Sequence, residues 1–341
     1  MKPSTLWLLL LLPLLAFALI GGWMLWTEQN PESERELRII AQEQLEEWFP
    51  EAMSLPPELI GFHPAGPEHE QGQPDVILIH GLDEPGGIWT ALAEALAGAG
   101  MTAWEFRYPN DQAIDHSADL LALRWEELES DEVFLVGHSM GGLLIRDFVS
   151  RWRHPVEQST PLAGPEVAGT ILVATPNQGS EWARLRAWLE IREWMADIPE
   201  GRLSLFSRLR HGTGAAKIDL RPDSRFLTEL NARPWPDRVP IQIIGGRLAE
   251  PTPAMLEGLQ TLMEDMGQEE LHEAFELWWR DAGEGIGDGA VPVESLSVEG
   301  APEPMIVHAS HRGLLVEMPW SDREPPAVGL VVQQLETWSK P

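Results

Sequence analysis

Val133-Phe134-Leu135-Val136-Gly137-His138-Ser139-Met140-Gly141-Gly142 is an apolar run that ends in Gly-x-Ser-x-Gly. The run reads as a buried strand, and the apolar residues after it (Leu143, Leu144, Ile145, Phe148, Val149) read as a helix. A serine on a tight strand-to-helix turn has its hydroxyl pushed into a cleft. The positions two before and two after it pack against each other, so glycine fits where a side chain would clash. The helix that begins after Ser139 aims backbone N–H groups and a positive dipole end at any oxyanion forming there. Ser139 is therefore a candidate nucleophile. The alternative is a glycine-rich turn with no chemistry, and the flanking strand and helix weigh against it.

The strand–helix rhythm extends on both sides of this turn. Val76–Ile79, Met101–Phe106, Gly169–Ala174 and Pro240–Ile244 read as strands, and Trp89–Ala99 and Ser117–Glu129 as helices, with the elbow helix running from about Ser139 to Trp152. Such alternation predicts an α/β domain with a doubly wound, mostly parallel sheet and helices on both faces. The domain is expected over residues 74–341, a length that supports one large core.

The chain has 341 residues, 43% of them hydrophobic, and carries 54 acidic against 24 basic residues for a formal charge of −30. That balance argues against a nucleic-acid partner, whose phosphates it would repel. Only Lys2, Lys217 and Lys340 are lysine. Acid-rich, lysine-poor composition resembles that of proteins from salty habitats, and equally suits an acidic exported protein. Cysteine is absent, which rules out disulfides, a thiol nucleophile and a lipid-modified cysteine.

Leu6–Trp26 contains no charged residue. As a helix it would span roughly 30 Å, a bilayer core. Trp7, Trp23 and Trp26 lie near its ends, Lys2 precedes it, and Glu28, Glu32 and Glu34 follow it. Residues 1–27 are thus expected to be a transmembrane anchor with the bulk of the chain on the periplasmic or outer face. The competing reading is a cleaved signal peptide ending at Ala16-Phe17-Ala18, which would give a secreted protein. Residues 28–73 read as a connector. In it Leu37, Ile40, Leu45 and Trp48 recur at helical spacing, predicting an amphipathic helix over about 32–48 that packs on the body or on the membrane surface.

An acyl-transfer site needs two N–H donors about 3 Å from the developing oxyanion. Met140, after the nucleophile, supplies one; Leu82, in the His80-Gly81-Leu82 loop after Val76–Ile79, is the candidate for the other. Gly81 lets the backbone approach closely, and His80 reads as a histidine that ties this loop together rather than as a catalytic base. The expected chain order is Ser, then Asp or Glu, then His. His154, His211 and His272 are poorly placed, whereas His308 and His311 follow the strand-like Met305-Ile306-Val307. His311 is the first choice of base and His308 the second. For the acid, Asp288 sits between glycines in Gly287-Asp288-Gly289-Ala290-Val291-Pro292, where a carboxylate can turn toward an imidazole. An Asp-Gly turn is the plain alternative, and Asp219, Asp223, Asp265 and Asp281 are other candidates.

Taken together, His80-Gly81, the Gly-His-Ser-Met-Gly-Gly at 137–142, Ala174-Thr175-Pro176-Asn177-Gln178-Gly179-Ser180 and Gly-Asp-Gly-Ala-Val-Pro at 287–292 with a late histidine resemble the lipase/esterase branch of the α/β-hydrolase superfamily. The Thr-Pro-x-x-Gly-Ser element resembles that of bacterial triacylglycerol lipases and of the inositol-deacylase-like group. The resemblance covers roughly residues 74–335. It implies an α/β-hydrolase fold with Ser139 as nucleophile, Asp288 as acid, His311 as base, and Leu82 with Met140 as oxyanion donors. No cofactor is expected. Some lipases of this type bind calcium; no calcium ligands are assigned in this sequence and no calcium site is claimed.

Between Ser180 and Pro240 the strand rhythm stops, and Trp182, Leu185, Trp188, Leu189 and Met195 recur at helical spacing. Helical cap insertions are expected over about 181–235 and 250–284, the first forming a lid with Trp182 beside the substrate, together with His80 and Gly81. The expected activity is hydrolysis of an acyl ester or lipid through an acyl-enzyme. Acyl transfer or thioester cleavage by the same three residues, and a non-catalytic scaffold that binds lipid or protein, are the alternatives.

Overall fold

Val76–Ile79 is a strand in which all four side chains are buried. Successive side chains in a strand point to opposite faces. Ile77 and Ile79 accordingly enter one apolar cluster and Val76 and Leu78 another. A strand buried on both faces needs helices on both, and this requirement sets the architecture.

A computed structural model describes residues 21–23, 25–50, 55–82, 84, 86–155, 162–181, 214–248, 285–318 and 324–340. Its seven strands are β1 (Gly61–Pro64), β2 (Val76–Ile79), β3 (Ala103–Arg107), β4 (Glu132–His138), β5 (Glu166–Val173), β6 (Ile241–Arg247) and β7 (Met305–His308). They form one sheet in the order β1-β3-β2-β4-β5-β6-β7. All neighbours are parallel except β1, which runs antiparallel to β3. The helices are α1 (Pro31–Trp48), α2 (Thr90–Gly98), α3 (Ile114–Arg124), α4 (Met140–Phe148), α5 (Ala216–Asp219), α6 (Arg225–Asn231) and α7 (Pro326–Trp338). Ile114, Leu121, Leu143 and Leu144 of α3 and α4 cover one face of the sheet. Leu92 and Leu96 of α2, with Val331 and Leu335 of α7, cover the other. The predicted doubly wound, mostly parallel sheet is therefore present. The elbow helix has the expected extent: its α-helical part runs over Met140–Phe148 and a π-helical turn continues it over Val149–Arg153.

Two expectations change. Residues 214–235, assigned to a cap, belong to the body: Ala216, Leu220, Phe226, Leu227 and Leu230 are part of the same core as α3 and α4. Trp182 and the rest of the first insertion lie outside the described residues, as does the second insertion over 250–284. The connector helix exists as α1, but it docks by its charged face. Glu34 is 1% exposed, whereas Leu37, Ile40 and Trp48 are 47%, 59% and 63% exposed. The reason is the surface it meets. Arg35 Nε donates to Asp219 at 2.6 Å and its Nη2 to Asp115 at 2.7 Å, and Arg221 pairs with Glu34 at 3.1 Å. The body offers charged partners there, so ion pairs rather than apolar contacts set the face.

Of the proposed anchor, Leu6–Ile20 lie outside the described residues. Among the described residues no helix is long and apolar enough to cross a membrane.

Candidate active site

Ser139 stands between β4 and α4 with φ 55° and ψ −127°. A non-glycine residue held there is strained. Its own N–H is held by Val173 O on the neighbouring strand at 2.9 Å. Packing on both sides of the turn admits glycine only. A Cβ on Gly137 would lie 2.7 Å from both Cα and N of Gly142, one on Gly141 would strike the carbonyl oxygen of Ile79, and one on Gly142 would strike Thr175. The close approach is thus Gly137 on Gly142, one residue further along than the sequence spacing suggests, while Gly141 seats α4 on the end of β2.

The end of β2 leads directly to His80-Gly81-Leu82. A Cβ on Gly81 would come within 2.8 Å of Ser139 Cβ and 3.3 Å of its Oγ, so this loop passes against the candidate nucleophile. Its carbonyls are held from outside. Tyr108 donates its hydroxyl to His80 O at 2.6 Å, and Asn110 Nδ2 donates to Gly81 O at 3.2 Å. His80 Nδ1 also meets Gly81 O at 3.0 Å, and its ring stacks on Tyr108 with centroids 4.7 Å apart. Tying the loop together is the role read for His80 from the sequence. Burial lowers the His80 imidazole below its ordinary range and raises the Tyr108 phenol, so both stay neutral. Met140 is fully buried at the head of α4. Among the described residues neither the Leu82 nor the Met140 N–H donates a hydrogen bond.

Asp288 lies in a loop whose flanking glycines take positive φ, +57° at Gly287 and +96° at Gly289. That backbone turns the carboxylate inward. Asp288 is 1% exposed; its Oδ1 accepts from the N–H groups of Ala290 and Val291 at 2.9 and 2.8 Å, and its Oδ2 from His311 Nδ1 at 2.8 Å. The backbones are joined as well, His311 N–H to Asp288 O at 2.9 Å. The structure brings Asp288 to His311 and leaves His308 exposed at the end of β7. Of the other acids considered, Asp219 is bound to Arg35 and Asp223 sits in a positive-φ turn; Asp265 and Asp281 lie outside the described residues.

His311 reaches the elbow through His138, the neighbour of Ser139. The two imidazoles have centroids 4.7 Å apart, and His138 Nε2 donates to the His311 carbonyl at 3.2 Å. Burial, reinforced by the charge of His311, holds His138 well below the ordinary histidine range. It can therefore donate that bond without adding a cation beside His311. Arg312, next in the chain, pairs with both oxygens of Glu84 at 2.7 Å and donates to Gly86 O at 3.0 Å. This clamps the loop that carries His311 onto the continuation of the His80-Gly81 loop. Tyr108, Asn110 and Arg312 carry no motif, and only the strand order reveals them. Among the described residues no group of three or more His, Asp or Glu side chains could hold a metal ion.

A family model described as Alpha/beta hydrolase family matches residues 76–329. No curated protein matches the chain. Among solved structures, the Staphylococcus hyicus lipase is 12% identical with a TM-score of 0.50, over 80% of this chain and 97% of that one. A Bacillus licheniformis lipase in mature form is 16% identical with a TM-score of 0.49 over 80% and 97%. Lipase 1 of Pelosinus fermentans is 14% identical with a TM-score of 0.47 over 80% and 100%.

Proposed function

The chain belongs to the alpha/beta hydrolase family, and from that premise we propose that it is a serine carboxylic ester hydrolase of lipase/esterase type, working through an acyl-enzyme. The observation that carries this reading is the 2.8 Å bond between His311 Nδ1 and the buried Asp288 carboxylate, set beside the strained Ser139 elbow. With Nδ1–H held by Asp288, the proton-accepting nitrogen of His311 is Nε2. In this mechanism Ser139 Oγ attacks the ester carbonyl carbon while Nε2 takes its proton. The negative charge on the carbonyl oxygen is met by the Leu82 and Met140 N–H groups. Collapse of the intermediate expels the alcohol, protonated by His311, and leaves the acyl group on Ser139. Water, deprotonated by the same nitrogen, then releases the acid. The apolar Leu6–Trp26 segment supports a placement at the outer face of a membrane, where acyl substrates reside.

A fluorophosphonate probe tests the reading, because it phosphonylates only an activated serine. Wild-type protein is expected to label, and Ser139→Ala to lose all labelling while keeping its circular dichroism spectrum. A wild type that folds and never labels overturns the enzymatic reading. A chain-length series of p-nitrophenyl esters then separates esterase from lipase.

A further inference from the structure

The loop after β2 presents its peptide groups to Ser139, and two side chains from the segment after β3 decide which way those groups face. Asn110 Nδ2 donates to Gly81 O at 3.2 Å and the Tyr108 hydroxyl to His80 O at 2.6 Å. No peptide bond here is cis. In a trans peptide the C=O and the following N–H point in opposite directions within one rigid plane. Turning Gly81 C=O toward Asn110 therefore turns the Leu82 N–H away from it. Turning His80 C=O toward Tyr108 does the same for the Gly81 N–H. Gly81 itself abuts Ser139, with its Cβ position 2.8 Å from Ser139 Cβ and 3.3 Å from its Oγ, so the loop whose peptide planes Asn110 and Tyr108 hold is the one that passes against the nucleophile.

We infer that Asn110 and Tyr108 are positioning residues that preorganise the oxyanion donor of the loop, by holding the Gly81 and His80 carbonyls from behind. The inference rests on the hydrolase reading and adds to it the residues that set the donor geometry. Neither side chain touches the acyl group. The effect follows from the chemistry of the site: oxyanion donors act only when already aimed at the charge that develops, and a peptide free to rotate loses part of that advantage in the transition state alone. His80 Nδ1 also reaches Gly81 O at 3.0 Å, which makes Asn110 one of two holds on that plane and Tyr108 the described side-chain hold on the other.

Asn110→Asp and Tyr108→Phe test this. The first faces Gly81 O with a carboxylate in place of a donor; the second removes one hydroxyl and keeps the ring that stacks on His80. On p-nitrophenyl butyrate, kcat is expected to fall about 10-fold for each, part of the ~10²–10³ lost when a donor is deleted outright, with KM changed less than about twofold. A trifluoromethyl ketone is the second readout. Addition of Ser139 Oγ to its carbonyl carbon leaves the negative charge on oxygen, so its inhibition constant is expected to rise by the same factor as kcat falls. If either folded variant keeps kcat and the ketone affinity of the wild type, or loses activity through KM alone, the inference is overturned. Should Asn110→Asp fail to fold, Tyr108→Phe decides. A wild type that neither labels with fluorophosphonate nor turns over ester overturns the hydrolase reading itself, which is a different result from an active wild type with indifferent variants.

Discussion

Ser139 at φ 55° and ψ −127° stores strain on the order of 1–3 kcal/mol, and a structure retains such strain only where its surroundings enforce it. Three glycines and the Val173 carbonyl do so here. Asp288 is enforced in the same way, by two positive-φ glycines and by two N–H groups that bind one oxygen and leave the other for His311. Asp288→Asn therefore tests a single property. The amide can keep the loop bonds through its oxygen, but its NH₂ then faces His311 Nδ1 and favours the tautomer with the proton on Nε2, the wrong nitrogen for a base. Turnover of p-nitrophenyl butyrate at neutral pH should fall by up to about 10⁴ with little change in melting temperature. Activity within about tenfold of wild type would remove Asp288 from the mechanism. Residues of this kind were readable in the sequence because each sits in a short glycine-bounded loop just after or near an apolar strand. Asn110 and Tyr108 were not, since what matters about them is which carbonyl lies across from the end of β3, and that depends on β2 and β3 being parallel neighbours.

At the scale of elements, β2, β4 and β5 were legible because parallel strands covered on both faces are largely apolar, whereas β3 and β6, which carry Glu105, Arg107, Gln242 and Arg247, were legible from their place in the strand–helix alternation. β1 was not, because four residues around His63 amid prolines show no alternation, and its place comes from pairing with β3. The docking face of α1 was not legible for a physical reason: periodicity locates an apolar stripe, but the partner surface decides which face is used. That surface is charged and buried. Burial outweighs the Arg35 ion pair and raises the Asp219 carboxyl to about 6 from 3.8, so the clamp orients α1 more than it stabilises it. The sign is that of an acid whose folded value lies above its unfolded one. Between pH 4 and pH 6 the folded chain holds a proton that the unfolded chain has released, so stability falls as pH rises through this window and levels off above it. Relative to Asp219→Asn, which removes the titration, wild type should lose up to about 3 kcal/mol across it. Urea titrations of both proteins at pH 4, 5, 6 and 7 measure the difference, and parallel curves would show that Asp219 ionises without cost.

For the whole molecule, the charge of −30 on 341 residues is an excess that the described ion pairs cannot absorb. Its scarce cations are already committed: Arg35, Arg151, Arg233 and Arg312 each hold carboxylates at 2.5–2.7 Å. The remaining acids repel one another across the surface, a term that favours any expansion of the chain. Salt shortens the reach of that repulsion from about 10 Å at 0.1 M to about 3 Å at 1 M, while the buried sheet and the enclosed Asp288–His311 bond are screened far less. Raising NaCl from 0.1 to 1 M should thus raise the melting temperature by about 2–4 °C for each kcal/mol of repulsion relieved. Sucrose at matched osmolality stabilises by exclusion rather than by screening, so it serves as the control for the charge term. Variants that replace exposed glutamates by glutamine should need less salt to reach the same melting temperature. A melting temperature that is flat or falls with NaCl, or that rises no more than it does in sucrose, would mean that the acidic surface is neutral toward folding, and the composition would then have to be explained by export or solubility alone.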